Sequence, residues 1–202
     1  MPFYVLKLGG SLMSVARDLV RALLGLTAEG YSFLVIPGGG PMADLIRDLF
    51  SRYSISQEAA HWMAVLAMEQ YAYFLADGTG AELTRRIKRP DGLEILLPYQ
   101  ALLEDDSGLG HSWDYTSDSI AALAAMRLDA PLIKSTDVDG VILDGQVVKE
   151  VRASALLGRE TCIDQGALRL LNGRSCRVLC GLDPARFISS LRDGEGGTVI
   201  KG

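Results

Sequence analysis

The chain has 202 residues, 49% hydrophobic and 22% charged, a balance that excludes both a wholly disordered chain and a disulfide-stapled mini-protein. Its formal net charge of −5 argues against non-specific nucleic-acid binding, which depends on a basic surface. No apolar run approaches the length of about 18 residues that spans a bilayer, and residues 1–10 lack the pattern of a signal peptide. We therefore expect a cytoplasmic protein without a membrane or nucleic-acid partner.

The first fifty residues alternate short apolar runs with amphipathic stretches. Residues 3–8 predict a strand that ends at a glycine turn, and residues 15–26 predict an amphipathic helix. The same pattern follows in residues 31–36, a strand, residues 37–40, a turn, and residues 42–50, a helix. Two consecutive strand-turn-helix units predict a parallel sheet with helices on its faces.

The middle of the chain predicts a long helix and then a boundary between two lobes. Residues 57–76 contain no proline or glycine, so they predict a helix of about five turns. Residues 84–91 are polar and rich in arginine, residues 93–97 predict a strand, and residues 105–112 predict a loop. We expect one domain with two lobes, residues 1–105 and residues 106–202.

The second half continues the alternation of strands and helices. The patterns predict helices over residues 118–128, 164–172 and 184–191, and strands over residues 131–135, 176–180 and 198–201. Residues 138–143 are also typical of a strand, and the pair Asp144-Gly145 that follows them predicts a hairpin turn.

Two glycine turns, Gly9-Gly10 and Gly38-Gly39-Gly40, each lie between a predicted strand and a helix. Glycine lets backbone N–H groups approach an anion at the positive end of a helix, although a single tight turn needs glycine for its own geometry. Both turns follow parallel strands, so they share one edge of the sheet, where α/β folds bind ligands. A dinucleotide fingerprint is disfavoured, because no strand ending in an acidic residue follows the second turn, and no Walker sequence is present.

Two lysines occur in otherwise apolar strands close to this edge. Lys7 precedes the first glycine turn by two residues, and Lys134 precedes Ser135 at the end of a later strand. A buried ammonium is costly unless an anion neutralises it, although a lysine can also extend its head group to water. Two lysines directed at one edge suit phosphoryl transfer, in which the charge of the moving group must be neutralised.

Asp118 and His61 each have a structural and a functional interpretation. Asp118, or Ser117 before it, is a natural N-cap for the helix that follows, and the alternative is that Asp118 orients the two lysines. His61 begins an apolar helical face, where it either packs in the core or contacts a substrate beside the glycine turns.

Five motifs in order resemble the amino acid kinase superfamily across nearly the whole chain. They are Lys7-Leu8-Gly9-Gly10-Ser11, Gly38-Gly39-Gly40, Asp114-Tyr115-Thr116-Ser117-Asp118, the run over residues 134–141, and Gly197-Thr198-Val199-Ile200. The resemblance implies a three-layer αβα fold around a mainly parallel sheet. It also implies an ATP-dependent kinase that uses Mg²⁺, binds its acceptor in the N-terminal lobe and ATP in the C-terminal lobe, and forms a homo-oligomer.

The resemblance assigns roles to individual positions. Lys7 would contact the transferring phosphoryl group, Lys134 would be a second cation, and Asp118 would orient both lysines. The acceptor would be held by Gly10, Gly38, Gly39, Gly40, Thr116 and Ser117. The nucleotide would be held by Gly9, Ser11, Ser135, Thr136, Asp137, Asp139 and Gly140. The resemblance does not identify the residues that would bind Mg²⁺.

Within the superfamily, residues 115–118 and 134–141 are similar to the branch that phosphorylates phosphate monoesters, which includes bacterial uridylate kinase. Uridylate kinase has an Asp-His-Met-Gly run whose aspartate binds the ribose hydroxyls, whereas this chain has His61-Trp62-Met63-Ala64. The substitution removes a hydrogen-bond acceptor for those hydroxyls and disfavours a nucleoside monophosphate.

Residues 61–71 and 113–118, with the short length, resemble the kinases that convert an aminomethylfuran methyl phosphate to its diphosphate in methanofuran biosynthesis. On this interpretation, Trp62 or Tyr71 would stack on the furan, and Glu69 or Asp114 would pair with its ammonium group. Uridine monophosphate, isopentenyl phosphate, a carboxylate and a carbamate remain alternative acceptors. A non-catalytic nucleotide-binding or storage subunit is the alternative outside enzymes.

Overall fold

The computed structural model describes residues 1–202, which form ten strands and eight α-helices. The strands are β1 (Phe3–Leu8), β2 (Ser32–Pro37), β3 (Glu82–Thr84), β4 (Leu93–Leu96), β5 (Leu132–Thr136), β6 (Ile142–Leu143), β7 (Gln146–Val147), β8 (Glu150–Arg152), β9 (Ser175–Cys180) and β10 (Thr198–Lys201). The helices are α1 (Ala16–Thr27), α2 (Gly40–Tyr53), α3 (Gln57–Ala76), α4 (Pro98–Glu104), α5 (Ser117–Arg127), α6 (Ala153–Leu156), α7 (Gln165–Leu170) and α8 (Pro184–Asp193). No helix combines the length and the apolar character needed to cross a membrane.

Eight of the strands form one sheet in the order β3-β4-β2-β1-β5-β9-β10-β8. The six strands from β3 to β9 in this order run parallel, and β10 pairs antiparallel with β9 and parallel with β8. Pairing of β1 with β5 joins the two predicted lobes into a continuous sheet. The carboxyl ends of β1, β2 and β5 consequently meet at one edge, as the sequence pattern predicts.

Helices cover both faces of this sheet, because the strands alternate their apolar side chains between two cores. On β1, Val5 belongs to the core that contains α5 and α7, whereas Leu6 and Leu8 belong to the core that contains α1 and α8. The long helix α3 contributes to both cores, through Val65 to the first and through Leu75 to the second. The predicted three-layer αβα sandwich around a mainly parallel sheet is confirmed.

Several short elements differ from the sequence-based expectation. The predicted strand over residues 138–143 is regular only at Ile142–Leu143, which pairs with β7 across the predicted hairpin turn. Four short elements were not predicted: β3, β8, α4 and α6. The strands β3 and β8 lie at the two outer edges of the sheet and have one buried residue between them, Thr84, so their sequences lack the apolar signal of the central strands.

Candidate active site

The register of β1 and β5 brings Lys7 and Lys134 directly opposite each other. Residues paired in this way on parallel strands direct their side chains to the same face, here the face that α5 covers. Asp118, in the first turn of α5, contacts both lysines. Lys134 Nζ lies 2.6 Å from both carboxylate oxygens, and Lys7 Nζ lies 3.0 Å from Oδ1. We call these three residues the lysine triad.

Burial and mutual charge set the ionisation of the lysine triad, whose members are all more than nine-tenths buried. Burial raises the pKa of Asp118, but the charges of Lys134 and Lys7 outweigh it and lower that pKa to about 2. Burial opposes the charge of Lys134 as well, yet Asp118 keeps its pKa above the usual value. The pKa of Lys7 is lowered by burial and by Lys134, although Asp118 opposes the shift. An anion near Lys7 would stabilise its charged form.

The two glycine turns are in direct backbone contact beside the lysine triad. A Cβ atom on Gly10 would lie 2.4 Å from the Cα atom of Gly40, and one on Gly38 would lie 2.7 Å from the nitrogen of Gly10. No side chain fits at these positions, so glycine is required by the close approach of the two backbones. A cavity of about 350 Å³ opens here, lined by Lys7, Gly10, Ser11, Gly38, Gly39, Gly40, Pro41, Ala43, Asp44, Arg47, Thr116 and Ser117. We call it the phosphate cavity.

A narrower, more apolar pocket continues from the phosphate cavity. Its own lining comes from α3, from the segment before α5 and from α5 itself: Gln57, Ala60, His61, Ala64, Val65, Met68, Ser112, Trp113, Tyr115 and Ile120. Gly39, Ala43, Arg47, Thr116 and Ser117 line both spaces. We call this second space the ring pocket, since its aromatic and aliphatic walls suit a small planar group.

Arg47 lies where the two spaces join, and the sequence interpretation did not single it out. Its Nη1 atom lies 2.6 Å from Asp44 Oδ1, and its guanidinium carbon lies 5.1 Å above the ring of Trp113. Arg47 follows Gly40 by seven residues, which on a helix places both on one face. This spacing is the sequence signal from which Arg47 could have been found.

The residues expected to bind the nucleotide gather at the carboxyl end of β5 and in the loop after it. The Gly9 nitrogen donates to the carbonyl of Ser135 over 3.0 Å, which ties the first glycine turn to this strand. The Thr136 hydroxyl donates to Asp137 over 3.1 Å. Burial raises the pKa of Asp137, but a hydrogen bond from Ser11 and others outweigh it and lower that pKa. Ser11, which lines the phosphate cavity, thus lies close enough to Asp137 to affect its ionisation.

The far end of the same loop is held by residues from the C-terminal strand and helix. Asp139 pairs with Arg186 at 3.0 Å, and both side chains are more than half exposed. A Cβ atom on Gly140 would lie 2.4 Å from the hydroxyl oxygen of Thr198, which leaves room for glycine alone. That hydroxyl accepts from the Val141 nitrogen over 2.9 Å.

The two carboxylates that we expected to meet a substrate ammonium lie outside the ring pocket. Glu69 accepts a hydrogen bond from the Tyr99 nitrogen over 2.9 Å and thereby caps the N-terminus of α4. Asp114 is exposed and pairs with Arg169 at 3.1 Å. Neither residue lines the ring pocket, and a role for either carboxylate in binding an ammonium group stays a prediction.

The two aromatic residues that we expected to stack on a furan are also engaged elsewhere. Tyr71 is fully buried, and its hydroxyl donates to the carbonyl of Gly9 over 3.2 Å. Trp62 donates from Nε1 to Glu58 over 2.7 Å and does not line the ring pocket. The aromatic side chains that do line it, besides His61, are Trp113 and Tyr115.

The N-terminus of α5 is capped by neither Asp118 nor Ser117. Its N-cap residue is Thr116, and the capping carboxylate comes from Asp164, which accepts from the nitrogens of Thr116 and Ser119 over 2.8 and 3.1 Å. Asp118 is therefore free to bind the lysines, which agrees with the functional interpretation of this residue. Asp164 also caps its own helix through the Ala167 nitrogen, a role that local sequence does suggest.

His61 lines the ring pocket and is 93% buried, since its relative exposure is 7%. Its ring stacks on that of His111, with centroids 4.0 Å apart and planes 8° from parallel. His61 Nε2 is buried without a hydrogen-bond partner. The structure thus places His61 at the pocket wall, and His111, for which the sequence suggested no role, directly behind it.

Comparison with known proteins finds relatives that align with nearly the whole chain. Residues 2–85 match the model of the amino acid kinase family. The chain is 33% identical to the [5-(aminomethyl)furan-3-yl]methyl phosphate kinase of Methanocaldococcus jannaschii, over 93% of this chain and 92% of that protein. Among solved structures, uridylate kinase from Archaeoglobus fulgidus is 21% identical with a TM-score of 0.69, covering 98% of this chain and 99% of that one. UMP kinase from Ureaplasma parvum is 15% identical with a TM-score of 0.73, covering 100% and 99%.

The two solved structures show that this chain shares their fold, and the Methanocaldococcus jannaschii relative is in addition 33% identical in sequence. The matched residues 2–85 include Lys7 and both glycine turns, which line the phosphate cavity. Together these findings show that the chain belongs to the amino acid kinase family and is an ATP-dependent kinase.

Proposed function

We propose that this kinase phosphorylates a small phosphate monoester to a diphosphate, with [5-(aminomethyl)furan-3-yl]methyl phosphate as its acceptor. The observation that carries the proposal is the continuity of the phosphate cavity with the ring pocket. A phosphate group fits between the glycine turns and Lys7, while a single small ring fits against the walls of the ring pocket. The name of the Methanocaldococcus jannaschii relative supports this choice of acceptor.

In the proposed reaction, an oxygen of the acceptor phosphate attacks the γ-phosphorus of ATP in line with the bond to the leaving oxygen. The new P–O bond forms as the β–γ bridge breaks, and ADP leaves with the electron pair. No general base is required, because the attacking oxygen is already ionised. Lys7 neutralises charge on the transferring group, and Asp118 positions both lysines at 3.0 Å or less.

ATP binds on the C-terminal side of the phosphate cavity, against residues 135–140, in this proposal. No group of three histidine, cysteine, aspartate or glutamate side chains could hold a metal ion by itself. Mg²⁺ in kinases keeps several waters and binds largely through substrate phosphates, so a protein cage is not needed. When bound with ATP, Mg²⁺ would neutralise charge on the nucleotide phosphates.

The homo-oligomer implied by the family resemblance stays a prediction, which light scattering would check.

The first experiment measures ADP release from Mg-ATP with a panel of acceptors. The panel contains the aminomethylfuran phosphate, uridine monophosphate, isopentenyl phosphate, glutamate and carbamate. The Lys7→Ala variant serves as the negative control. We expect turnover with the aminomethylfuran phosphate above every other acceptor. Preferred turnover of another compound would overturn the proposed acceptor, and ATP binding without turnover of any would favour a storage or sensing role.

A further inference from the structure

The ring pocket has no carboxylate in its lining, although the proposed acceptor carries an ammonium group. Apart from Arg47, its polar groups are uncharged amide, hydroxyl and imidazole side chains, including Gln57, His61 and Ser112. The carboxylates of Glu69 and Asp114 point to other partners, as described above. The ammonium must therefore be recognised by a neutral acceptor atom, by charge behind the pocket wall, or by both.

His61 has the properties of such a neutral acceptor. It lines the pocket, it is 93% buried, and its Nε2 atom has no hydrogen-bond partner. Burial, with the neighbouring charge of His111, lowers the pKa of His61 to about 4. The imidazole is thus neutral near pH 7, and a neutral imidazole offers one nitrogen lone pair to a donor such as an ammonium N–H.

Directly behind His61, two carboxylates enclose the ring of His111. Its Nδ1 atom lies 2.5 Å from Glu58 Oε2, and its Nε2 atom lies 2.9 Å from Asp106 Oδ2. Burial disfavours the charged form of His111, but the hydrogen bonds to these carboxylates outweigh it and raise the pKa. With His111 charged, the cluster of His61, His111, Glu58 and Asp106 has one net negative charge. We call it the histidine cluster.

The other end of the site, at the phosphate cavity, has a net charge of the opposite sign. Lys7, Lys134 and Arg47 face the carboxylates of Asp118 and Asp44, so three cations against two anions leave one net positive charge. The site is therefore negative at the histidine cluster and positive at the phosphate cavity. A small molecule with an ammonium at one end and a phosphate at the other matches this polarity.

We infer that the ammonium group of a zwitterionic amino phosphate binds at the His61 end of the ring pocket, hydrogen-bonded to the His61 imidazole and attracted by the histidine cluster. This inference rests on the proposed function, because it specifies how that acceptor is oriented. The phosphate then reaches Lys7 and the glycine turns, and the ring lies between the two charged ends. His61 is a specificity residue in this arrangement and takes no part in phosphoryl transfer.

The test compares two acceptors that differ only in the amine: the aminomethylfuran phosphate and the same compound with a methyl group in its place. KM is measured for both with wild-type protein, with His61→Phe, which keeps an aromatic ring, and with Glu58→Gln, which changes an exposed side chain. Tyr73→Phe, an exposed position on the same helix, is the control. We expect wild type to prefer the amine, and His61→Phe to reduce the preference expressed as a KM ratio by about tenfold or more.

Glu58→Gln should reduce the same ratio to a smaller extent, and more at low than at high salt, because exposed charges are screened. Equal KM values for the two acceptors in wild type would overturn the inference while leaving the kinase intact. So would an unchanged ratio in both His61→Phe and Glu58→Gln. If wild type turned over neither furan compound yet phosphorylated another acceptor, the proposed function itself would fail.

Discussion

Lys7 is the residue on which the proposed chemistry depends most directly. It is the lysine of the triad that lines the phosphate cavity, where the proposed transfer would develop negative charge. We expect Lys7→Met to lower kcat by about 10²- to 10³-fold, the usual effect of removing one preorganised group that stabilises transition-state charge. The variant keeps an apolar side chain of similar length, so circular dichroism and thermal unfolding should show a folded protein.

Lys88→Met is the matched control for this variant, because Lys88 is an exposed lysine whose partner is Glu94, at 2.8 Å. We expect this control to retain wild-type kcat within about twofold, since Lys88 lines neither the phosphate cavity nor the ring pocket. If folded Lys7→Met protein retained the kcat of the control, Lys7 would have no role in the transfer.

The convergence of the lysine triad could be predicted from sequence, whereas the lining of the ring pocket could not. Lys7 and Lys134 lie within two residues of the carboxyl ends of parallel strands, and parallel strands align these ends whatever the surrounding packing. The side of α3 that faces the pocket is set by packing. His61, Val65 and Met68 share that side, and Glu69, one residue further along, is rotated by about 100° to cap α4 instead.

At the scale of elements, Asp164 joins the starts of two helices. Its carboxylate accepts from Thr116 and Ser119 at the start of α5 and from Ala167 at the start of α7. We expect Asp164→Ala to lower the free energy of unfolding by roughly 2 to 3 kcal/mol, more than the loss of a single cap, because buried donors at two helix ends lose their acceptor. Urea denaturation would measure this loss.

Asp183→Ala supplies the comparison, since Asp183 caps α8 alone, through the nitrogens of Ala185 and Arg186. A loss of about 1 kcal/mol is expected for this single exposed cap. Similar losses for the two variants would mean that Asp164 does not join the two helices energetically. Because α5 carries Asp118, we also expect Asp164→Ala to lower kcat, and Asp183→Ala to leave kcat unchanged.

The elements that the sequence predicted well have a continuous local signal, which is a run of apolar residues for the strands and a long stretch without proline or glycine for α3. The bounds predicted for α3 and β10 agree with the structure, and those for β1 do so as well. In contrast, α4 begins at Pro98 and depends on a cap from Glu69, thirty residues earlier in the chain. The capping of α5 by Asp164 could not be predicted from local sequence either, because its hydrogen bonds to α5 span 45 and 48 residues. Such long-range hydrogen bonds leave no periodic signal in the sequence.

For the molecule as a whole, the continuous sheet builds the site from residues of both halves of the chain. The phosphate cavity takes Lys7 and the glycine turns from residues 1–105, and Thr116 and Ser117 from residues 106–202. The ring pocket likewise combines α3 with Trp113 and Tyr115. A change in the global stability of the fold therefore reports on groups around the site. The two stacked histidines are the side chains whose ordinary pKa lies nearest to neutral pH.

The two histidines should give opposite dependences of stability on pH. The pKa of His111 lies above its usual value of 6.5, so its stabilisation is complete below about pH 6.5 and is lost as the pH rises through the raised pKa. The pKa of His61 is lowered from 6.5 to about 4, so the folded state resists a proton that the unfolded state binds. Stability from this residue falls as the pH decreases from 6.5 towards 4.

Thermal unfolding of wild type, His111→Asn and His61→Asn between about pH 5 and pH 9 tests both signs. The Tm advantage of wild type over His111→Asn should be larger at the acidic end, because only charged His111 binds both Glu58 and Asp106 through ring N–H groups. The Tm advantage of wild type over His61→Asn should be smaller at the acidic end. There, protonation of His61 is opposed by its burial and by the charge of His111. Parallel pH dependences for the two variants would contradict a stack in which one ring is charged and the other neutral, and with it the neutral imidazole that faces the ring pocket.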